Sequence, residues 1–356
     1  MSLATFKEAV TNGRNGVNHG LGTGLPKLDD ITGGLTKSTF TLLFASSGVG
    51  KSSFALYAYI YSTLKEHLND GKIKIVMFAL EMKEDFIIAK LLSTYLSETY
   101  NVKLTAKQIL SIGRDYTLPD DLYEYVQMGY EWLEQVYKVL IIKDGAHSSD
   151  KVIAETMDFL KEEGTFDDNK YIPKNPEQTN LIIIDHAGLL IPSNGRNKKG
   201  EIDDCANKLV VIRNKTNLSI IFIMQSNRAV ANMERKKNDS FMEPMIEDIK
   251  ETGTPSEAAE LVLAVYNPQV DKRSTYRGYS VKEMGYRFRS IIVLKSRYGE
   301  NQVADCCFFD GATNTWKELP KPEEIYDYSV YRSNTSDNIK ENENVDQCKT
   351  KLNFNL

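Results

Sequence analysis

Two kinds of block alternate along this chain. Short runs in which nearly every position is apolar recur at Thr39–Phe44, Lys72–Leu80, Val139–Ile142, Leu181–Ile184, Ser219–Met224 and Glu260–Tyr266. Runs of this length, without alternation, predict strands covered on both faces. Between them lie longer stretches with apolar residues at helical spacing: Ser53–Leu68, a run ending near Ser97, Ser149–Glu162 and Glu201–Thr216. Strands alternating with helices predict an α/β fold with a mostly parallel, twisted sheet flanked by helices. Arg287–Leu294 and Val303–Phe309, separated by a short polar link, predict an antiparallel strand pair at the C-terminal side.

Other stretches are less regular. Leu3–Val10 predicts a short helix, and the Gly/Asn-rich residues up to Gly24 a flexible joint. Thr105–Tyr137 predicts a polar, mostly helical insertion, and Thr165–Asn180, with Pro173 and Pro176, a loop. From Pro320 the chain is Asn-, Ser-, Glu- and Asp-rich and almost free of aliphatics, a disorder composition. The expected organisation is an arm over 1–20, one domain over 21–319 and a disordered tail over 320–356.

Composition narrows this picture slightly. A hydrophobic share of 41% suffices for a sizeable core. The net charge of −5 excludes a uniformly basic surface but leaves room for a locally basic groove. Four cysteines form no CxxC pair, and the adjacent Cys306 and Cys307 would face opposite sides of a strand, as buried thiols in a reducing compartment. No apolar run approaches the length of a membrane span, so no membrane association is expected, and a cytoplasmic setting is.

The chemistry concentrates where the apolar runs end. After the first run comes Ala45-Ser46-Ser47-Gly48-Val49-Gly50-Lys51-Ser52, then Ser53, entering a helix. Small residues let the backbone curl so that N–H groups converge on a phosphate in front of the helix N-terminus. In such a P-loop Lys51 would reach the β- and γ-phosphates and Ser52 would ligate Mg²⁺. The alternative is an ordinary Gly-rich strand–helix turn. Asp185, after four aliphatics, has the chemistry of a Walker-B carboxylate for the same metal. Glu81 ends a neighbouring strand and could activate water, or simply suit the start of the helix behind it. Gln225 ends another strand and could sense a γ-phosphate, or merely cap. Lys295 and Arg297 project from one side of a strand end, either as a cationic pair for a phosphate or as a solvated cluster.

In order, Ala45–Ser52, Phe78-Ala79-Leu80-Glu81-Met82, Ile182–Asp185, Met224–Arg228, Glu251-Thr252-Gly253 and Lys295-Ser296-Arg297 resemble the motor domain of DnaB-type hexameric replicative helicases. Leu28–Leu35 is similar to that family's entry to the motor. The resemblance covers roughly residues 20 to 318 and implies a RecA-like P-loop NTPase fold that binds ATP and Mg²⁺. It implies that Glu81 is the catalytic base, Asp185 the Walker-B acid and Gln225 the γ-phosphate sensor. Arg297 would be an arginine finger for a neighbouring subunit, with Lys295 beside it. Lys250, Glu251 and Gly253 fall where the family touches single-stranded DNA. The loops 194–199, with Arg196, Lys198 and Lys199, and 228–239, with Arg228 and Arg235, would face a central channel.

The family's N-terminal, primase-docking domain has no counterpart before Gly20, which resembles compact phage-encoded forms acting in a bacterial or phage-infected cell. His186 stands where the family often has Tyr. The expectation is a ring, six subunits in the family, translocating on single-stranded DNA, with a primase or another replisome protein as possible partner. A filament-forming RecA-like recombinase or recombination mediator is the first rival, and a small-molecule or signalling P-loop kinase the second.

Overall fold

The computed structural model describes residues 3–16, 18–167, 170–226, 243–249, 253–297 and 299–331. Its centre is a nine-stranded sheet. In chain order the strands are β1 (Phe40–Ala45), β2 (Ile73–Ala79), β3 (Leu140–Asp144), β4 (Gly164–Asp167), β5 (Lys170–Pro173), β6 (Thr179–Asp185), β7 (Leu218–Gln225), β8 (Leu261–Tyr266), β9 (Thr275–Tyr276), β10 (Tyr279–Ser280), β11 (Phe288–Ser296), β12 (Val303–Asp310) and β13 (Thr315–Glu318). Strands β4–β5 and β9–β10 form separate small hairpins, and the rest order as β13-β12-β11-β8-β1-β7-β6-β2-β3. From β8 to β3 all pairings are parallel, whereas β11, β12 and β13 add antiparallel at one edge.

The apolar runs make central strands because both faces are covered. In β6, Leu181 and Ile183 join the core beneath the helical segments over 51–67 and 84–100. Ile182 and Ile184 join the opposite core, beneath the helices Ser149–Glu163 and Lys198–Lys215. Side chains alternating across a strand demand this division. Cys307 and Cys306 divide the same way, and both are free, buried thiols.

Several expectations need correction. The segment expected as the loop 165–180 carries the β4–β5 hairpin, and β13 adds a third antiparallel strand to the expected pair. The stretch Leu28–Leu35, for which no element was expected, begins inside a helix, Pro26–Thr32, that Gly33 ends with φ 81°. Residues 320–331 do not behave as tail: they form two 3₁₀ turns, and Ile325, Tyr328 and Tyr331 pack on the core. Among the described residues no helix is long and apolar enough to cross a membrane.

The topology decides where chemistry can sit. Parallel strands bring their carboxyl ends to one edge, so Ala45, Ala79, Asp185 and Gln225 finish side by side. Strand β11 runs the other way, and its end, Ser296, pairs with Leu261 at the start of β8. Arg297 therefore lies at the opposite edge.

Candidate active site

The P-loop leaves β1 at Ala45 and enters the helix at Lys51. Gly48 and Gly50 hold φ of 74° and 111°, and the second is a backbone that side-chain-bearing residues rarely adopt. The loop is pinned at its base. Ser226 N–H donates to the Ala45 carbonyl at 2.9 Å, and the Ser46 and Ser226 hydroxyls lie 3.0 Å apart. It is pinned again at its crown, where Arg289 Nε donates to the Val49 carbonyl at 2.6 Å.

Four of the expected residues meet around this loop. Ser52 Oγ donates to Asp185 Oδ1 at 2.8 Å. Lys51 Nζ, nearly buried, pairs with Glu81 Oε2 at 3.3 Å, and half of the Glu81 side chain remains open to solvent. Burial pushes the Asp185 carboxyl up to about 6, against the pull of Lys51 and the Ser52 hydroxyl. Burial, followed by the Lys51 charge, pushes His186 down to about 4, which keeps its imidazole neutral. Gln225 ends β7 in register with Ala45, at the same edge.

The donor set fits Mg²⁺. Asp185 Oδ2 is buried with no hydrogen-bond partner, and Oδ1 touches the Ser52 hydroxyl, so two hard oxygen donors converge beside the phosphate loop. No cluster of three or more His, Cys, Asp or Glu among the described residues could hold a metal. Mg²⁺ needs only one or two protein oxygens and completes its shell with phosphate and water.

The cationic pair is elsewhere. Arg297 Nη1 donates to Glu260 Oε1 at 3.0 Å, and Lys295 Nζ donates to the carbonyls of Ser256 and Glu257 at 2.8 and 3.1 Å. Burial, then Arg297, lowers the Lys295 pKa. Both sit at the amino edge of the parallel strands, where Glu260 also accepts from the Phe40 amide at 2.9 Å. From Phe40 to Ala45 β1 spans about 17 Å at strand rise. Neither residue reaches the P-loop of its own chain.

Of the expected DNA-facing residues, Arg228, Arg235, Lys250 and Glu251 lie outside the described residues. Gly253 begins the short helix Thr254–Ala258. Lys198 and Lys199 are in the first helical turn of Lys198–Lys215, capped by Asn197, and not in a loop as expected. Arg196 does not project freely: it pairs with Asp150, Glu201 and Asp204, each at 3.3 Å.

Sequence reasoning missed Arg289, Lys90, Glu260 and Arg213. Lys90 lies beside Asp185, with Nζ 3.5 Å from Ser53 Oγ, and burial lowers its pKa. Lys90 and Arg289 interrupt apolar runs (Phe86–Leu92, Phe288–Leu294), Glu260 heads one (Leu261–Tyr266) and Arg213 closes one (Leu209–Ile212), and a charge at such a run needs a partner.

The chain is 25% identical over 274 residues to the replicative DNA helicase DnaB of Rickettsia prowazekii, covering 75% of this chain and 50% of that protein. It is 24% identical over 248 residues to the Helicobacter pylori (strain ATCC 700392 / 26695) protein of the same name, covering 69% and 43%. The chain thus spans about half the length of the curated relatives it matches. Among solved structures, one described as an ATPase domain superposes with a TM-score of 0.68 at 20% identity, over 90% of this chain and 99% of that one. A DnaB-like replicative helicase, described with its interactions with primase, gives 0.67 at 20% identity, over 90% and 68%. At that identity the likeness is one of fold, and the fold is RecA-like. The family is carried by a family-model match over residues 20–317, and on it the chain belongs to the DnaB-like helicase C-terminal domain family.

Proposed function

We propose that this chain is the ATP-hydrolysing motor of a ring-forming replicative DNA helicase that translocates on single-stranded DNA. The observation that carries the reading is the separation of Arg297 from a P-loop that otherwise gathers Lys51, Ser52, Glu81 and Asp185. A phosphoryl-transfer site gains much of its rate from a cation on the transferring phosphate. Here that cation is at the far edge of the sheet, so a second copy of the chain completes the site.

In this reading the P-loop amides and Lys51 hold the phosphates, with Lys51 exchanging its Glu81 partner for phosphate oxygens. Glu81, released from Lys51, accepts a proton from the attacking water. Ser52 and Asp185 hold Mg²⁺, which when bound neutralises charge on the phosphate oxygens. Gln225 registers the γ-phosphate, and β7 carries that signal to the segment beyond it. Lys198 and Lys199, with Arg228, Arg235, Lys250, Glu251 and Gly253, are proposed to face the strand of DNA through its phosphates. A motor that starts near residue 21 and takes in residues 320–331, with a primase or another replisome protein as partner, belongs to the same proposal.

The test mixes two variants. Arg297→Ala and Lys51→Ala proteins should each lack DNA-stimulated ATPase and unwinding of a forked duplex. Mixed, they should regain both, because some interfaces then join an intact P-loop to an intact Arg297. No recovery in the mixture overturns the shared site. A filament on DNA instead of a ring in electron micrographs would favour the recombinase.

A further inference from the structure

Arg297 is tethered inside its own subunit. Its side chain is half-exposed, but Nη1 donates to Glu260 Oε1 at 3.0 Å and its amide donates to the Glu260 carbonyl at 2.9 Å. Glu260 is only 5% exposed. Its two oxygens have different company. Oε2 accepts from the Phe40 amide and from Arg213 Nη1, both on fixed elements, the strand β1 and the helix Lys198–Lys215. Oε1 is left to Arg297.

The cleft beside this pair has a volume of about 530 Å³, and its charged lining is Asp30, Glu260 and Glu300 against Arg297. Three carboxylates and one guanidinium make it a poor receptor for a polyphosphate. A triphosphate from another subunit cannot come to Arg297 where it rests, so Arg297 must move out to it. Resting on the reading of Arg297 as the finger for a second copy, we propose that Glu260 is a positioning residue that holds Arg297 retracted and releases it by exchange for phosphate.

The division of the carboxylate makes that exchange inexpensive. A buried carboxylate stripped of every cation would be strongly unfavourable. Here Arg213 and the Phe40 amide remain on Oε2 when Arg297 leaves, so the group stays compensated. The tether itself is weak, because half the arginine is in water. Ion pairs of this kind bias a side chain by a factor of about two to five.

The experiment is a double-mutant cycle on the assembled protein, reading ATPase with and without single-stranded DNA. Glu260→Gln should raise kcat without DNA about two- to fivefold, with KM for ATP unchanged. In the Arg297→Ala background the same substitution should leave the residual DNA-independent rate unchanged, whereas a merely structural role would lower that rate by the same factor in both backgrounds. Glu260→Asp, one methylene shorter, keeps a negative charge for Arg213 while drawing both oxygens back and lengthening the contact with Arg297, and serves if the Gln variant does not assemble. It should give the same rise. An unchanged or reduced rate in these variants, with Arg297→Ala still inactive, overturns the tether alone. Full DNA-stimulated activity in Arg297→Ala overturns the finger and the tether with it.

Discussion

Arg289→Met removes the side chain that fastens the crown of the P-loop from strand β11. Arg289 is 5% exposed, lies 5.1 Å from the centre of the Phe309 ring, and donates to the carbonyls of Val49, Phe288 and Tyr286. Met matches its apolar bulk and leaves the Val49 carbonyl without this donor. A hydrogen bond from a charged group contributes about 1.5–3 kcal/mol. If the whole of it orders the loop, nucleotide binding must supply that ordering instead, which weakens affinity between about tenfold and a hundredfold. Arg289→Lys keeps the charge but not the fork that serves three carbonyls, so it should fall between. Titration with a fluorescent ATP analogue reads the affinity, and urea unfolding reads the stability in parallel. Nucleotide affinity within twofold of the parent, alongside a clear loss of stability, would refute the reasoning: Arg289 would then serve the sheet and not the loop.

Gly50→Ala forces a φ of 111° on a residue with a side chain and should cost about 1–3 kcal/mol of stability, read by urea unfolding. Gly48→Ala, at φ 74° with open space around the new methyl, should cost less; the reverse order would contradict the loop geometry. Burial and the neighbouring Glu318 push the Asp305 carboxyl up to about 7, while Glu318 accepts from the Lys27 and Leu28 amides. A carboxyl raised in the folded state binds its proton more tightly there, so its contribution is complete below the ordinary carboxylate range. It fades as pH rises toward 7, by at most about 1.4 kcal/mol per unit. Unfolding measured from pH 4 to 8 should therefore show Asp305→Asn gaining on the parent as pH rises, and a constant gap would exclude it. Replacing Lys198 and Lys199 by Ala should flatten the salt dependence of single-strand binding by about 0.7 per charge that contacts a phosphate. Arg196→Ala should leave that slope alone and lower stability, since its charge is spent on Asp150, Glu201 and Asp204.

The parallel half of the fold was legible because its strands are apolar on both faces and end abruptly. Leu181–Asp185 is contained in β6, and Ser219–Met224 in β7, each shifted by two residues at most. Asp185 and Glu81 were found for the same reason, since a polar residue closing an apolar run has to face something, and Lys51 and Ser52 because a loop of small residues between strand and helix suits a phosphate. What escaped was chemistry held by distant partners. Glu260 owes its role to Arg213 and Arg297, 47 and 37 residues away, and Arg289 to Val49, 240 residues back. No local pattern encodes such pairs. The β4–β5 hairpin escaped because its prolines read as loop, although Pro173 closes the last strand position. Residues 320–331 escaped because their polar composition hides Ile325, Tyr328 and Tyr331, whose contacts depend on the sheet being already in place.

Strand β11 bears Arg289 near its start and is followed at once by Arg297, and the two face different obligations. Arg289 grips the P-loop of its own chain, and Arg297 rests on Glu260 at the other edge. Eight residues of extended chain set them roughly 26 Å apart. In the proposed ring this strand would act as a gauge block between one nucleotide pocket and the next. Its length is part of the assembly's tolerance: deleting a single residue between Ser290 and Leu294 would shorten the gauge by about 3.3 Å and turn one arginine to the wrong face. Each subunit could then still fold its own pocket, and the succession of pockets would be out of step.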